Sequence, residues 1–170
     1  MHRVYWSSVI LPNQGPICLA ATESGLCYLG LPHDPPHALI TWVSDHLPGH
    51  ALVEDLTPLA PYIAELDEYF AGVRRIFTCP LDLRGTVFQV AVWHALLRIP
   101  YGETRSYQDI AVEVGRPQAV RAVGGANGAN PVPIIVPCHR VIGKNGTLTG
   151  YSGGLDVKTA LLQVEGALLV

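Results

Sequence analysis

The sequence predicts two domains. Residues 1–85 should form a small α/β supporting domain, a small sheet with helices. Residues 86–170 should form a mainly α, winged-helix-like domain that contains a helix-turn-helix. Three observations predict this division: β-rich runs fill residues 3–31, helical periodicity dominates after Val87, and a connector from Cys79-Pro80 to Gly85-Thr86 lies between them. A chain of 170 residues that is 49% hydrophobic can bury a real core.

The N-terminal half begins with three predicted strands, over residues 3–11, 16–22 and 25–31, which turn signals separate. A proline-rich loop follows, and two helices are then predicted over residues 38–47 and 57–71. The second helix should begin at Thr57-Pro58, since threonine is a good N-cap and proline suits the first helical turn. These elements together predict the small α/β domain.

The C-terminal half shows helical patterns. One apolar helix face, which should end before Pro100, is formed by Phe88, Val92, Ala95, Leu96 and Ile99. Ser106 and Asp109 fit a capping box at the start of the next helix, and Pro117 is predicted to begin the one after it. Two short helices joined by a tight turn at Gly115-Arg116 are typical of a helix-turn-helix. A last helix is predicted over residues 155–166, with Leu161, Leu162 and Val164 on its buried side.

Composition restricts the class of protein. No apolar run reaches the roughly 18 residues that a membrane helix needs, and no basic segment followed by an apolar one opens the chain. The four cysteines have no regular spacing, which favours reduced thiols and an intracellular protein. The net charge of −3 is uneven: residues 1–85 carry four Lys/Arg against nine Asp/Glu, and residues 86–170 carry seven against five. The second half, at +2, is therefore the half suited to a nucleic acid.

A cysteine beside a histidine is the main chemical feature of the chain. The apolar residues 134–136 predict a short buried strand, and Pro137 fixes the direction in which the chain leaves it. Cys138 follows, with His139 and Arg140 next to it, and both neighbours can favour the reactive thiolate. The alternative is a structural cysteine, because free cysteines are usually buried and behave as small hydrophobes.

The second helix of the helix-turn-helix combines Arg121 with small residues that include Ala122 and Gly124. Small side chains allow a neighbour to approach the backbone closely. A protein neighbour would make this ordinary helix packing. A DNA neighbour would place the helix in the minor groove, with Arg121 able to wedge into the base stack.

The segment Pro137-Cys138-His139-Arg140-Val141 resembles the active-site signature of the O6-alkylguanine-DNA alkyltransferases, also called methylated-DNA–protein-cysteine methyltransferases. The similarity extends from Phe88 to Gly166 through ordered motifs: Pro100-Tyr101-Gly102-Glu103, Ser106-Tyr107-Gln108, Arg121-Ala122-Val123-Gly124-Gly125-Ala126, Asn130-Pro131-Val132-Pro133, Tyr151-Ser152-Gly153-Gly154-Leu155 and Glu165-Gly166. The N-terminal half resembles the family only in outline, as a small α/β domain.

The resemblance implies a DNA repair protein that acts once and needs no cofactor. It would flip an alkylated guanine out of double-stranded DNA and transfer the alkyl group from O6 to Cys138. His139 would serve as the base through a bridging water, and Glu165 would orient the imidazole. The thioether product has no easy leaving group, so each molecule would be consumed.

The resemblance also implies how DNA is held. Arg121 would fill the gap left by the flipped base, with Ala122 and Gly124 close to the groove. Tyr107 would crowd the 3′ phosphate, and Gln108 would contact the phosphate backbone. The expected partner is duplex DNA, bound by a monomer without any membrane contact.

Guanine recognition is implied for a further set of groups. Tyr107 and the Ser152 backbone would donate to guanine O6 or N3. The Cys138 and Val141 carbonyls would accept from its exocyclic amine, and Asn130 would brace the turn before the cysteine. Arg140 is expected to hold the fold through a salt bridge. The preferred alkyl size and activity on O4-alkylated thymine stay open.

Two departures from the family pattern are visible. Thr22, Cys27 and Thr78 occupy positions where vertebrate members carry zinc ligands, so no metal is expected here, and the cytoplasm of a prokaryote is the expected location. Asn127-Gly128-Ala129 replaces bulkier, more basic residues at the end of the recognition helix, which suggests altered DNA affinity.

Two other functions fit parts of the pattern. A Cys-His hydrolase or acyl-transfer enzyme would use the same thiol and imidazole, but it would turn over. A helix-turn-helix DNA binder or damage sensor would not need Cys138 for its function.

Overall fold

A computed structural model describes residues 2–148, 151 and 154–167. The chain forms two compact units, Met1–Arg84 and Gly85–Val170. Within the described residues, no helix is both long enough and apolar enough to span a bilayer.

The first unit contains a four-stranded sheet in the order β3-β2-β1-β4. Strands β1 (Arg3–Leu11), β2 (Gly15–Thr22) and β3 (Gly25–Gly30) pair antiparallel, and β4 (Ala51–Glu54) pairs parallel to β1. Helix α1 (Ala38–His46) packs on this sheet through Leu39 and Val43, which join a buried cluster with Val4, Ala20, Cys27, Tyr28 and Leu47. Helix α2 (Ala60–Phe70) buries Tyr62, Leu66 and Tyr69.

Strand β4 was not predicted from the sequence. It has four residues, three of them half-buried, and its pairing partner lies far away in sequence. Local periodicity over so short a run carries little information. The predicted start of the following helix was also wrong, because Thr57 begins a 3₁₀ turn (Thr57–Leu59) and its backbone N–H is capped by Asp55 at 3.0 Å.

The second unit contains four helices among its described residues: α3 (Val87–Leu97), α4 (Tyr107–Glu113), α5 (Val120–Gly128) and α6 (Leu155–Val164). The two-residue strands β5 (Arg105–Ser106) and β6 (Val141–Ile142) pair in parallel. Helix α5 packs against α3 and α4, and the Trp93 indole N–H donates to the Ala126 carbonyl at 2.8 Å. Helices α4 and α5 form the predicted helix-turn-helix.

The predicted capping box at α4 is present, since the Ser106 hydroxyl accepts from the Asp109 N–H at 3.0 Å and the Asp109 carboxylate accepts from the Ser106 N–H at 2.9 Å. Pro117, however, does not begin α5. A turn closed by the Ala119 N–H to the Arg116 carbonyl at 2.9 Å comes first, and the helix starts at Val120.

Two further predictions were wrong. Residues 134–136 are buried but form a turn instead of a strand, with Ile134 at φ 74°. Prolines at 131, 133 and 137 remove the backbone donors that a strand ladder needs. On α6, Val164 is 39% exposed, whereas Lys158 takes the buried position beside Leu161 and Leu162.

Candidate active site

The turn that leads to Cys138 is held by one amide side chain. Asn130 accepts from the Val132 N–H at 2.9 Å through Oδ1 and donates to the Val136 carbonyl at 2.8 Å through Nδ2. Asn130 is itself buried, so these two bonds are shielded from water. They stabilise a backbone path in which Ile134, a β-branched residue, has a positive φ that such residues rarely adopt. The loop geometry, and with it the position of the thiol, therefore depends on this asparagine.

Cys138 begins a single 3₁₀ turn, Cys138–Arg140, and is 1% exposed. Burial raises the pKa of its thiol, and hydrogen bonds from Asn130 and Tyr151 together with the charge of Lys158 offset only part of that rise. The thiol is therefore protonated at rest. The expectation that adjacent His139 and Arg140 favour the thiolate was wrong for the resting protein, because desolvation dominates.

His139 is completely buried and makes one hydrogen bond through Nε2, to Glu165 Oε2 at 2.7 Å. Burial lowers the pKa of the imidazole, and Arg140 and Lys158 lower it further, against the opposing effect of Glu165. A neutral imidazole next to a carboxylate keeps its proton on the nitrogen that faces the carboxylate. Nδ1 has no hydrogen-bond partner among the residues that the structure describes, so its lone pair can accept a proton.

Glu165 directly follows α6 as its C-cap residue and is held from the other side by Arg140. The guanidinium donates to Glu165 Oε1 at 2.8 Å and Oε2 at 3.0 Å, and to the Ile99 carbonyl at 2.7 Å. It also lies over the Tyr101 ring, 5.8 Å from the centroid. This bidentate geometry fixes the carboxylate plane in front of the imidazole.

Lys158 is a buried cation that the sequence analysis missed. It is fully buried on α6, and its Nζ donates to the Val141 carbonyl at 2.6 Å. Burial lowers the pKa of the amine, while the nearby Cys138 raises it. The signal was available in the spacing, since Lys158 lies three and four residues before the buried Leu161 and Leu162, on the same helix face.

The DNA-facing candidates lie on one side of α5. Arg121 and Ala122 are exposed and Gly124 is half-buried, whereas Val123, Ala126 and Asn127 point into the unit. Asn127 Nδ2 donates to the Cys138 carbonyl at 3.3 Å. The Asn127 side chain thus connects α5 to the cysteine backbone, while altered DNA affinity or sequence tolerance from Asn127-Gly128-Ala129 stays a prediction.

The remaining candidates lie at the start of α4 and in the loop before α6. Tyr107 is the first residue of α4 and is half-buried. Gln108 donates from Nε2 to the Pro117 carbonyl at 2.9 Å, so its amide bridges the helix-turn-helix turn. Ser152 lies outside the described residues.

The positions suggested for metal ligands have other partners. Thr22 donates to the Asp82 carboxylate, and Thr78 donates to Glu65 at 2.7 Å. In the part of the chain that the structure covers, no three His, Cys, Asp or Glu side chains cluster in a way that could hold a metal ion.

Comparison with known proteins gives one family for both units. Residues 4–83 match the model of the 6-O-methylguanine DNA methyltransferase ribonuclease-like domain, and residues 87–167 match the model of the DNA-binding domain of the same family. The inducible methylated-DNA–protein-cysteine methyltransferase of Bacillus subtilis is 51% identical over 162 residues, 95% of this chain and 90% of the relative. A Methanosarcina acetivorans protein of the same name is 47% identical over 90% of this chain and 93% of its own length.

Solved structures agree with this result. The O6-methylguanine methyltransferase of Mycobacterium tuberculosis matches with a TM-score of 0.81 and 44% identity, over 96% of this chain and 93% of that one. A second Mycobacterium tuberculosis structure, determined in complex with DNA, matches with a TM-score of 0.82 at the same identity and coverage. The predicted fold class and the resemblance are both confirmed, and the chain belongs to the 6-O-methylguanine DNA methyltransferase family.

Proposed function

We propose that this protein repairs DNA directly, by an irreversible transfer of the alkyl group from O6 of an alkylated guanine to Cys138. Relatives that are 51% and 47% identical over nearly the whole chain carry the name of this activity. The observation that carries the assignment to Cys138 is the arrangement beside it: a neutral, buried His139 whose Nδ1 is available to accept a proton and whose Nε2 is anchored by Glu165.

The reaction is a single displacement at carbon. The thiol proton passes to His139 Nδ1 through one water molecule, which a buried polar atom without a protein partner can hold. The thiolate then attacks the alkyl carbon, the S–C bond forms and the C–O6 bond breaks. The electron pair of that bond stays on guanine, which takes up a proton from the Tyr107 hydroxyl, itself reprotonated from solvent, and leaves as the neutral base. The imidazolium is stabilised meanwhile by Glu165.

The burial of Cys138 determines how substrate reaches it. The sulfur of a cysteine that is 1% exposed cannot meet a guanine stacked inside a duplex, so the nucleotide has to leave the helix first. The exposed Arg121 on α5 would fill the space left in the stack, with the small residues Ala122 and Gly124 allowing α5 to approach the minor groove. Tyr107 would press on the phosphate of the rotating nucleotide. Gln108, whose amide donates a hydrogen bond to the Pro117 carbonyl, would lie beside the phosphate backbone of the DNA.

Guanine would be selected by backbone groups near the cysteine. A carbonyl oxygen has two lone pairs, so the Val141 carbonyl that accepts from Lys158 retains capacity for the exocyclic amine of guanine. The Cys138 carbonyl, which accepts from Asn127, is in the same position. Ser152 would contribute its backbone N–H, and Asn130 keeps the loop in place. Adenine lacks this amine and would be rejected.

The product is a thioether, which has no easy leaving group, so one molecule repairs one lesion. We further propose that the protein works as a monomer in the cytoplasm of a prokaryotic cell, where the DNA is.

Intact-mass measurement after incubation with O6-benzylguanine tests the proposal. The wild type should gain one benzyl group, whereas Cys138→Ala should gain none. Cys79→Ala is the matched control, since Cys79 is the more exposed thiol and should not be the site of labelling. An unmodified wild type, or equal labelling of Cys138→Ala, would contradict the proposal. Repeated product release from an ester or amide would instead indicate a Cys-His hydrolase, and full repair by Cys138→Ala would indicate a non-enzymatic sensor.

A further inference from the structure

Glu165 is a fully buried carboxylate that is bonded to Arg140, which is charged, and to His139, which is neutral at rest. Its side chain is 0% exposed; Oε1 accepts from Arg140, and Oε2 accepts from both Arg140 and His139. Burial keeps His139 neutral, so it supplies no charge to the pair at rest. The ionised state of Glu165 therefore rests on the guanidinium, because an uncompensated buried carboxylate takes up a proton.

Several contacts fix the position of the Arg140 side chain. One face of the guanidinium lies over Tyr101, one N–H donates to the Ile99 carbonyl, and two others hold the carboxylate. Arginine stays protonated at any relevant pH, so it is a permanent charge, unlike lysine or histidine. A surface salt bridge has fewer contacts than Arg140 has here. These contacts hold a permanent positive charge next to Glu165.

We propose that Arg140 is a positioning residue for the base: its charge keeps Glu165 ionised and aimed at His139 Nε2, so that the imidazole stays neutral and Nδ1 remains available to accept a proton. This inference rests on the proposed function. It assigns to Arg140 a role beyond the structural salt bridge expected from the sequence. Arg140 acts through Glu165 and does not touch the substrate.

Lys158 and Tyr151 also face this site and contribute to the pKa values of Cys138 and His139. Lys158 from α6 lies near Cys138 and His139, and the Tyr151 hydroxyl interacts with the thiol. Tyr151 acts on the thiol, whereas the charge of Lys158 acts on both the thiol and the imidazole. Arg140 is bonded to the carboxylate itself, so its removal should change the titration of the His139–Glu165 pair most directly.

The test is the titration of His139 followed by ¹⁵N NMR, together with the rate of Cys138 benzylation as a function of pH. In the wild type, His139 should be neutral at pH 7 with its proton on Nε2. In Arg140→Met, the pair should bind a proton more readily, and the acid limb of the rate profile should move to higher pH by about one unit or more. At a pH below both limbs, this corresponds to a rate about tenfold or more below that of the wild type.

Arg140→Lys keeps a positive charge but loses the bidentate geometry, so it should restore the profile in part, while Arg98→Met, which removes an exposed arginine of the same unit, should leave it unchanged. A folded Arg140→Met variant with wild-type ¹⁵N shifts and an unmoved acid limb would overturn the inference. If Arg140→Met does not fold, the wild type decides alone: an imidazolium at pH 7, or a proton on Nδ1, would overturn it. The NMR titration needs no alkylation, so a failure of the repair function would be recognised separately.

Discussion

The two units each contain a buried glutamate that an arginine holds, yet the two clusters have different consequences. In the N-terminal unit, Glu65 accepts from the Thr78 hydroxyl, from the N–H groups of Thr78 and Cys79, and from Arg74 Nη1 at 2.9 Å. In the C-terminal unit, Glu165 accepts from Arg140 and from an imidazole. Each cluster also has a cysteine close by, Cys79 in one and Cys138 in the other.

The difference lies in which atoms are left unsatisfied. Every partner of Glu65 is a group that simply donates to it, so the cluster fastens the segment after α2 to that helix. Glu165 instead fixes one nitrogen of His139 and leaves the other, Nδ1, without a protein partner among the described residues. A buried acceptor costs free energy unless something binds it, so its presence beside a cysteine indicates chemistry. Carboxylate, arginine and cysteine together do not identify an active site, whereas an available buried base does.

The largest predicted effect is on the rate in the C-terminal cluster. Glu165→Gln removes the anion that stabilises the imidazolium, so benzylation of Cys138 should slow by about 10²-fold or more. Single-turnover kinetics on the folded variant measure this. A rate within a few-fold of the wild type would mean that the glutamate contributes only to the fold.

The matched change in the N-terminal cluster should affect stability and leave the rate alone. Glu65→Gln breaks a buried ion pair and weakens its hydrogen bonds, so the free energy of unfolding should fall by about 3 kcal/mol. Urea unfolding of the variant measures the loss, and its benzylation rate should equal that of the wild type. A reduced rate in a folded variant would contradict the separation of the two roles.

The two clusters should make the free energy of unfolding depend on pH in two different pH ranges. Burial lowers the pKa of His139, so the unfolded chain binds its proton first, and stability should decline as the pH falls below about 6.5. For Glu65, burial raises the pKa, but hydrogen bonds from Thr78 and Cys79 lower it overall. Its contribution is present above the unfolded pKa of about 4.3 and is lost as the pH falls through the folded value.

Urea unfolding should be measured across this pH range. The loss of stability below about pH 6.5 should be absent in His139→Gln, and the loss at lower pH should be absent in Glu65→Gln. His94→Gln, a change at an exposed histidine of α3, serves as the control and should behave as the wild type does. If Glu65→Gln instead removed the loss of stability near neutral pH, the lowered pKa of His139 would not be the cause of that loss, and the explanation would be wrong.

The smallest predicted effect is at an exposed ion pair. Arg98 and Glu113 approach to 3.3 Å with both side chains largely in water, and Arg98→Ala should lower the free energy of unfolding by less than about 1 kcal/mol. Urea unfolding measures it against Glu65→Gln. A loss as large as that of the buried pair would mean that burial is not what makes the two clusters strong.

The sequence predicted the elements that have a local residue pattern and the site residues that lie in a family motif. The first three strands, the capping box at Ser106 and the helix-turn-helix follow from local patterns, and Cys138, His139 and Glu165 were identified by resemblance to a family. Strand β4 was missed because its partner is distant in sequence. The turn at residues 134–136 was missed because three prolines outweigh the strand preference of an apolar run.

The electrostatics of the site could not be predicted for a different reason. The protonated state of Cys138 depends on how completely it is desolvated, and the neutral state of His139 depends on the balance between burial, Glu165 and two cations. Those quantities belong to the packed structure. Lys158 alone could have been found in advance, as a charge placed among the buried positions of α6.

The most direct test of the whole account uses a duplex that carries a single O6-methylguanine. Peptide mapping after the reaction should find one methyl group on Cys138 and none on Cys79, with unmodified guanine restored in the DNA and no more than one lesion repaired per protein molecule. Methylation of another residue, or repair that continues beyond one lesion per molecule, would contradict the account.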